Sequence, residues 1–358
     1  MPRTSQTLLF QLACLLPAAL ILFAGIIGGL WVWAALGSMT LLVLVMDRFG
    51  PKFEADEALV RTLPSAVGVV HFLTLGTTLW AIGHSSELDI GAKVLLTATT
   101  GLYVGQVSNA CAHELIHRPW GPARRLGTAI YCSVLNGHHV SAHLLVHHVH
   151  AGTNKDPNSA PLGRGFYRYF LNATLAEFRA GLACENKLRH GKIGLWHPYS
   201  VYAIGACLSL CTAWFLGGGW AVVALIAISL HAQAQLMLSD YVQHYGLRRA
   251  IDASGKPEPM GVKHSWNAPQ SFSSALMMNA PRHSDHHVNP MRVFNDLRLD
   301  ERMPVLPKSM PVMAAVALIP PLWRRMMDHR AQEWSQDMSS LPVQNQHDLP
   351  LELNEVVT

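Results

Sequence analysis

Six apolar stretches, each close to 20 residues long, place the strongest limit on how this chain can fold. A helix needs roughly 20 predominantly apolar residues to cross the hydrocarbon core of a membrane. The stretches cover residues 8–27, 30–46, 63–83, 90–110, 199–215 and 220–238. Only 14% of the 358 residues are charged, whereas soluble domains average roughly 25%. The sequence therefore predicts an all-α, multi-pass membrane protein with about six transmembrane helices.

The distribution of basic residues predicts an orientation. The connection between the second and third stretches carries Arg48, Lys52 and Arg61, whereas the segment HSSELD that follows Gly83 has no Lys or Arg. Basic residues favour short cytoplasmic loops. We therefore expect both termini, and the ends of the fourth and sixth stretches, to face the cytoplasm of what we take to be a bacterial inner membrane.

The predicted domains alternate between membrane and cytoplasm. They are four helices in 1–110, a cytoplasmic cap in 111–198, two further helices in 199–238, the rest of the cap in 239–332 and a polar tail in 333–358. The tail is acidic and is predicted to be disordered. Residues 310–321 are apolar but too few to span, and Pro320 and Pro321 end them, so we expect this segment at the membrane interface or against the cap.

Three compact histidine clusters carry the strongest chemical signal. They lie in HELIH (His113 and His117), HLLVHH (His143, His147 and His148) and HSDHH (His283, His286 and His287). Neutral imidazole is a common ligand of iron, copper and zinc. Residues spaced i and i+4 share one face of a helix, so His143, His147 and the neighbouring His148 are expected to present one broad face to a metal. Eight imidazoles exceed what one ion accepts, and the sequence predicts two metals side by side.

The remaining histidines lack this clustering. Isolated histidines in connections are predicted to be solvated, and these are His84, His190, His197, His329 and His347. His71 and His231 lie within apolar stretches, where an uncompensated polar group is costly, so they are predicted to be hydrogen-bonded core residues. The pair His138 and His139 precedes the second cluster without a partner at helical spacing, and its role stays open.

Other functions fit single features of the sequence. HELIH satisfies the HExxH pattern of zinc metalloproteases, but a protease would leave most of the clustered histidines without a role. A metal-handling membrane protein without catalysis also fits the clusters. The net charge of +4 is spread over connections, which argues against nucleic-acid binding. The six cysteines form no CxxC pair, so any electrons must come from another protein.

Together, the motifs resemble those of the membrane-bound diiron oxygenase and desaturase superfamily. Within it, YVQHYGL at 241–247 and RHSDHH at 282–287 are similar to motifs of the alkane hydroxylase and xylene monooxygenase branch. HSWN at 264–267 and PPLWRRMMDHR at 320–330 also resemble alkane hydroxylase segments. The resemblance covers approximately residues 90–330.

This resemblance implies a function and a ligand set. The implied reaction is hydroxylation of a terminal or benzylic methyl group of an apolar substrate, which enters from the membrane lipid, by dioxygen at two iron ions. Electrons would come from a rubredoxin or a ferredoxin-type reductase. The alternatives are a fatty-acyl desaturase and an aromatic-methyl hydroxylase of the xylene type. The implied iron ligands are His113, His117, His143, His147, His148, His244, His283, His286 and His287.

The chain departs from the family pattern near two of these ligands. Ala142 and Gln243 stand where the family often has glutamate, and Val146 replaces a glycine. A metal-bound histidine usually donates its other ring N–H to a carboxylate or another acceptor, which orients the ring. Glu114 and Asp285 are the carboxylates that the sequence offers for this role.

Overall fold

The structure, a computed structural model, describes residues 3–53, 56–192 and 194–340. Within these ranges helix is the regular secondary structure, joined by two isolated β-bridges and no strand, which confirms the all-α prediction. The α-helices are α1 (Arg3–Ile27), α2 (Leu30–Met39), α3 (Leu41–Phe49), α4 (Glu57–His84), α5 (Ile90–Tyr103), α6 (Asn109–Ile116), α7 (Gly121–Ser133), α8 (His139–Ala142), α9 (His148–His150), α10 (Phe166–Leu188), α11 (Pro198–His244), α12 (Ser271–Leu276), α13 (His283–Val288), α14 (Met310–Ala317) and α15 (Pro320–Ser340).

Length and composition mark three of the described helices as able to cross a membrane. They are α1 over Ser5–Ile27, α4 and α11. Helices α2 and α3, which meet at a 42° bend, count as a fourth span if the bent pair crosses the membrane as one unit. The bend lies at Thr40, so the second apolar stretch is not the straight helix that its sequence predicts. The chain is thus a multi-pass membrane protein, while the predicted number of six spans is not confirmed.

The fourth apolar stretch forms a continuous rod of mixed helix type. Helix α5 runs into a π-helical turn, Val104–Ser108, which leads directly into α6. A π turn adds one residue to a helical turn and often lies near a functional site. The rod leads the chain from Ile90 directly to HELIH.

The fifth and sixth apolar stretches are the two halves of α11. The helix is broken at Gly217 and Gly218, where Gly218 has φ 66° and ψ −155°, a conformation open essentially to glycine alone. On either side of the break, Ser209 donates a hydrogen bond to the Ser133 carbonyl (2.6 Å) and Gln233 donates one to the Val134 carbonyl (3.2 Å). Since both halves reach the same turn, they lie beside each other as a hairpin.

Polar side chains inside the helical bundle pair with one another. His71 of α4 is fully buried, and its two ring nitrogens lie 2.9 and 2.8 Å from the hydroxyls of Ser108 and Ser133. The prediction of a hydrogen-bonded core histidine is confirmed at this position. In contrast, Trp33 and Phe215 expose 61% and 84% of their surface, as lipid-facing side chains do.

The C-terminal segment differs from its prediction. Pro320 does not end helical structure but begins α15, because proline is tolerated in the first turn of a helix. Helix α15 continues to Ser340, so residues 333–340 are helical rather than a disordered tail. The rest of the predicted tail, with His347, lies outside the described residues.

Candidate metal centre

The histidine clusters lie at helix ends that meet at one place. His113 is in α6 and His117 caps its C-terminus. The second cluster occupies a π-helical turn, His143–His147, and the start of α9. His244 is the last residue of α11, and the third cluster forms most of α13.

The structure brings all nine predicted histidines together in two groups. In each group the nearest ring nitrogens lie within 4.8 Å of one another. The first, called the group of five, contains His113, His117, His143, His148 and His286. The second, called the group of four, contains His147, His244, His283 and His287.

The sequence clusters do not correspond to these groups. In the π turn hydrogen bonds run from i to i+5, which aligns His143 with His148, and their Nε2 atoms are 2.9 Å apart. His147 therefore points to the other group, and the expected single face of the second cluster is wrong. In α13, His283 and His287 join the group of four while His286 joins the group of five.

The distances within each group fit metal coordination better than hydrogen bonding. The Nε2 atom of His143 is 3.0 Å from that of His117 and 2.9 Å from that of His148, and His148 is also 3.1 Å from His286. One ring nitrogen has a single proton or lone pair, so it cannot hydrogen-bond properly to two others. Ligands at right angles, each about 2.1 Å from a metal, lie about 3 Å apart.

The group of four has the same spacing. His283 Nε2 is 2.9 Å from His244 Nε2 and 3.0 Å from His287 Nε2. The Nε2 atom of His147 is buried and has no hydrogen-bond partner among the described residues. An ion held by these nitrogens would satisfy all four.

Burial sets the protonation of most of these rings. Desolvation, together with neighbouring histidines, lowers the pKa of His113, His143 and His286 well below the ordinary value. These rings are therefore neutral and offer a lone pair to a metal. Burial also lowers the pKa of His147, but the nearby Asp156 outweighs it and raises that pKa to about 9.

Asp156 is the carboxylate that supports a clustered histidine. Its Oδ2 atom lies 2.9 Å from His147 Nδ1, which leaves Nε2 for the metal. Its Oδ2 also accepts a hydrogen bond from Ser159 at 2.6 Å. Sequence reasoning missed Asp156, because it lies in an irregular connection nine residues after His147. The DPNSAP stretch resembles an ordinary solvated turn.

A second buried network lies beside the centre. Glu177 of α10 is 3.2 Å from His138 and 3.4 Å from His139, which gives that histidine pair a structural role. Asn158 donates hydrogen bonds to Glu177 (2.9 Å) and to Asp240 (2.8 Å). Sequence reasoning missed these residues as well. Asp240, an acid one turn before His244 in an apolar helix, carried a signal that could have identified it.

The two carboxylates that the sequence offered have other partners. Glu114 bonds to Arg118 and to the Phe294 backbone N–H, and burial raises its pKa to about 7. Asp285 bonds to Arg292 and to the Arg298 backbone N–H. Among the described contacts, neither carboxylate hydrogen-bonds to a clustered histidine.

The isolated histidines stay away from both groups. His84, His190 and His329 are exposed, as predicted. His197 is not solvated: it is 4% exposed and its Nδ1 accepts a hydrogen bond from the Tyr199 N–H at the start of α11. His231 is half-buried and lies on the wall of a cavity.

This cavity connects the centre with the membrane region. It has a volume of about 280 Å³, and its inner end is formed by His113 and His143 of the group of five and His283 of the group of four. The rod of α5 and α6, α11 and α14 form its walls. The 310–321 segment, predicted to lie at the membrane interface or against the cap, contributes Met310 and Leu318 to the cavity lining.

A membrane bundle that ends in two histidine groups beside an apolar cavity is typical of membrane-bound oxidoreductases that use non-haem metal. The comparison with known proteins agrees. The model of the family "Fatty acid desaturase" matches residues 91–317, which is more than half of the chain. The chain belongs to this family.

Curated relatives place the chain within the monooxygenase branch. It is 30% identical to alkane 1-monooxygenase 1 of Pseudomonas aeruginosa, over 73% of this chain and 70% of that protein. It is 27% identical to alkane 1-monooxygenase 2 of the same organism, over 85% of both chains. It is 26% identical to the xylene/toluene monooxygenase hydroxylase component XylM of Pseudomonas putida, over 86% of this chain and 85% of that protein. The chain is thus a membrane-bound monooxygenase of the alkane 1-monooxygenase type.

Proposed function

We propose that this enzyme uses two iron ions and dioxygen to hydroxylate a terminal or benzylic methyl group of an apolar, alkane-like substrate. The observation that carries the proposal is the convergence of nine histidines in two groups at the inner end of the cavity. The group of five and the group of four would each hold one iron. Bound iron supplies the oxidising chemistry: one atom of dioxygen enters the C–H bond and the other leaves as water.

The protein positions the substrate and the histidine rings, and it excludes water from the centre. Leu102, Ala110 and Met277 contribute apolar side chains to the cavity lining, so that a hydrocarbon chain can pass from the bilayer into the cavity without exposure to water. Asp156 holds the proton on His147 Nδ1 and so keeps Nε2 directed at the metal.

The orientation and the electron donor belong to the same proposal. The basic loop that contains Arg48 and Arg61 supports a cytoplasmic position for both termini and the centre. Electrons would come from a rubredoxin or a ferredoxin-type reductase, since the six cysteines of the described residues are unpaired and form no redox centre of their own.

Product analysis tests the proposed function. Cells that express the chain with a rubredoxin system are fed octane, p-xylene and a saturated fatty acid. The expected products are 1-octanol or a benzylic alcohol, and the anaerobically purified protein should carry two irons per chain. An alkene as the main product would indicate a desaturase. One zinc without iron would indicate a protease, and Glu114, whose carboxylate pairs with Arg118, would then have to act as its base.

A further inference from the structure

One part of the cavity wall is unusually polar for a hydrocarbon site. On the α11 wall, His231, Gln235, Ser239 and Gln243 follow at intervals of four residues and therefore form one stripe. On the opposite wall, the rod of α5 and α6 presents polar side chains one and two turns before His113, and these are Asn109 and Gln106. Polar side chains within a membrane helix are costly, and they face one another or a functional cavity.

Two glycines make room for this polar stripe. A Cβ atom on Gly105 would lie 2.2 Å from Gln235 Nε2, and one on Gly101 would lie 2.4 Å from His231 Nδ1. These distances are far below van der Waals contact. The α5 wall is thus shaped to accept Gln235 and His231.

Backbone carbonyls fix the orientation of the amide of Gln235. Its Nε2 donates to the Gly101 carbonyl at 2.8 Å, so its Oε1 faces the other wall. There Gln106 Nε2 donates to that oxygen at 3.4 Å. The Gln106 Oε1 atom is left buried and accepts no hydrogen bond from any described residue.

Asn109 is fixed in the same way. Its Nδ2 donates to the Ala232 carbonyl at 3.1 Å, and the residue is 5% exposed. Its Oδ1 is buried and also has no partner within the described part of the chain. The cavity wall therefore offers two amide oxygens, both acceptors, close to the centre. A ligand that matches them must be a hydrogen-bond donor.

We propose that the substrate carries a neutral hydroxyl group that donates its single proton to the amide oxygen of Gln106 or of Asn109 while a distant methyl group is oxidised. This inference rests on the proposed hydroxylase function. With a helical rise of about 1.5 Å per residue, the two amides lie roughly 10 Å and 6 Å along the helix from His113. Several methylene groups span that length, so a medium-chain alkanol fits better than the alkane of equal length.

The test compares 1-octanol with octane on the purified, iron-loaded enzyme with its redox partners. The kcat/KM for formation of octane-1,8-diol should exceed the kcat/KM for octane hydroxylation by at least about tenfold, because a site built to hydrogen-bond a hydroxyl disfavours the analogue that lacks it. In the double variant Gln106→Leu and Asn109→Leu this ratio should fall towards one. Gln233→Leu is the matched control, since Gln233 bonds to the Val134 carbonyl, and it should keep the wild-type ratio.

Binding gives a readout that does not depend on turnover. Thermal stabilisation by 1-octanol should exceed that by octane in the wild type but not in the double variant. If octanol binds selectively through the amides but neither compound is oxidised, the hydroxyl-binding role of the amides stands and the proposed hydroxylase function fails. The inference is overturned if octane is preferred. It is also overturned if the double variant keeps both the wild-type kcat/KM ratio and the wild-type difference in thermal stabilisation, because the amides then merely hold water.

Discussion

Replacement of Asp156 by asparagine tests whether the two histidine groups are separate metal sites. The Asp156 and His147 side chains are 0% and 2% exposed, and their atoms are 2.9 Å apart. Asparagine keeps the shape and an acceptor oxygen but removes the charge. Loss of such an outer partner typically weakens metal binding by 10–100-fold, about 1.4–2.7 kcal/mol. Because burial prevents screening of this pair, we expect roughly 100-fold weaker iron binding at the group of four above about pH 9, where the extra proton on His147 no longer competes with the metal.

The measurement is iron per chain after dialysis of detergent-solubilised protein against increasing chelator above about pH 9, where His147 carries no extra proton. Asp156→Asn should lose about half of its iron at a chelator concentration that leaves the wild type fully loaded, because the group of five keeps its ion. Asp300→Asn is the control: Asp300 pairs with Arg302 at the surface, and this variant should retain iron as the wild type does.

The pH dependence of metal binding gives a second readout of the same contact. Since the pKa of His147 is raised to about 9, the ring carries an extra proton below that pH, and a metal must displace it. Affinity at the group of four should therefore increase as the pH rises towards about 9. Calorimetry in buffers of different ionisation enthalpy should show about one more proton released by the wild type than by Asp156→Asn. Equal proton release, or simultaneous loss of both irons, would refute the reasoning.

Three further predictions concern other parts of the protein. His244→Ala should lower iron content and abolish oxidation while membrane insertion persists, whereas the exposed His190→Ala should do neither. Reporter tags at Phe53 and at the C-terminus should both indicate the cytoplasm, and a periplasmic signal at either would contradict the orientation. In Glu177 the pKa is lowered below its ordinary 4.5, since His139 and His138 outweigh the opposing effect of burial. This stabilisation is present above pH 4.5 and lost as the pH falls below it. Glu177→Gln should therefore reduce the free energy of unfolding by about 1.5–3 kcal/mol at neutral pH, which is measured as a lower thermal midpoint in detergent. The variant's thermal midpoint should also depend less on pH in the acid range than that of the wild type.

The identity of the ligands could be predicted from the sequence because histidine spacing is a local property. His113 and His117 share a face whenever the segment is helical. The ends of apolar stretches also indicate which segments leave the membrane together. The nine histidines that the sequence and the resemblance nominate are the nine that the structure brings together.

The partition of the ligands could not be predicted in the same way. It depends on the π turn that begins at His143, and one residue more per turn rotates His147 out of the face that His143 and His148 share. No propensity of the HLLVH sequence distinguishes that turn from an α-helical one. The break of α11, in contrast, could be predicted, because three consecutive glycines occupy residues 217–219.

The supporting carboxylates are hidden from sequence reasoning for another reason: they come from elements far apart in the chain. Asn158 lies in an irregular connection, yet it is 2% exposed and its amide bridges a carboxylate of α10, Glu177, and one of α11, Asp240. The NH2 group of one amide, which has an N–H for each acceptor, allows two buried acids to lie close together despite their repulsion. The same connection supplies Asp156 to His147.

The Asp156 contact also bears on the two positions, Ala142 and Gln243, where the family often has glutamate. Ala142 precedes His143, whose Nδ1 is buried with no hydrogen-bond partner among the described residues, so no carboxylate orients that ring from its Nδ1 side. His147, four residues later, has a full carboxylate behind it. Because an anionic acceptor makes an imidazole a stronger donor to metal, the group of four contains at least one strengthened ligand. The two histidine groups are therefore chemically unequal, and the loop that carries Asp156 and Asn158 is one cause of the difference.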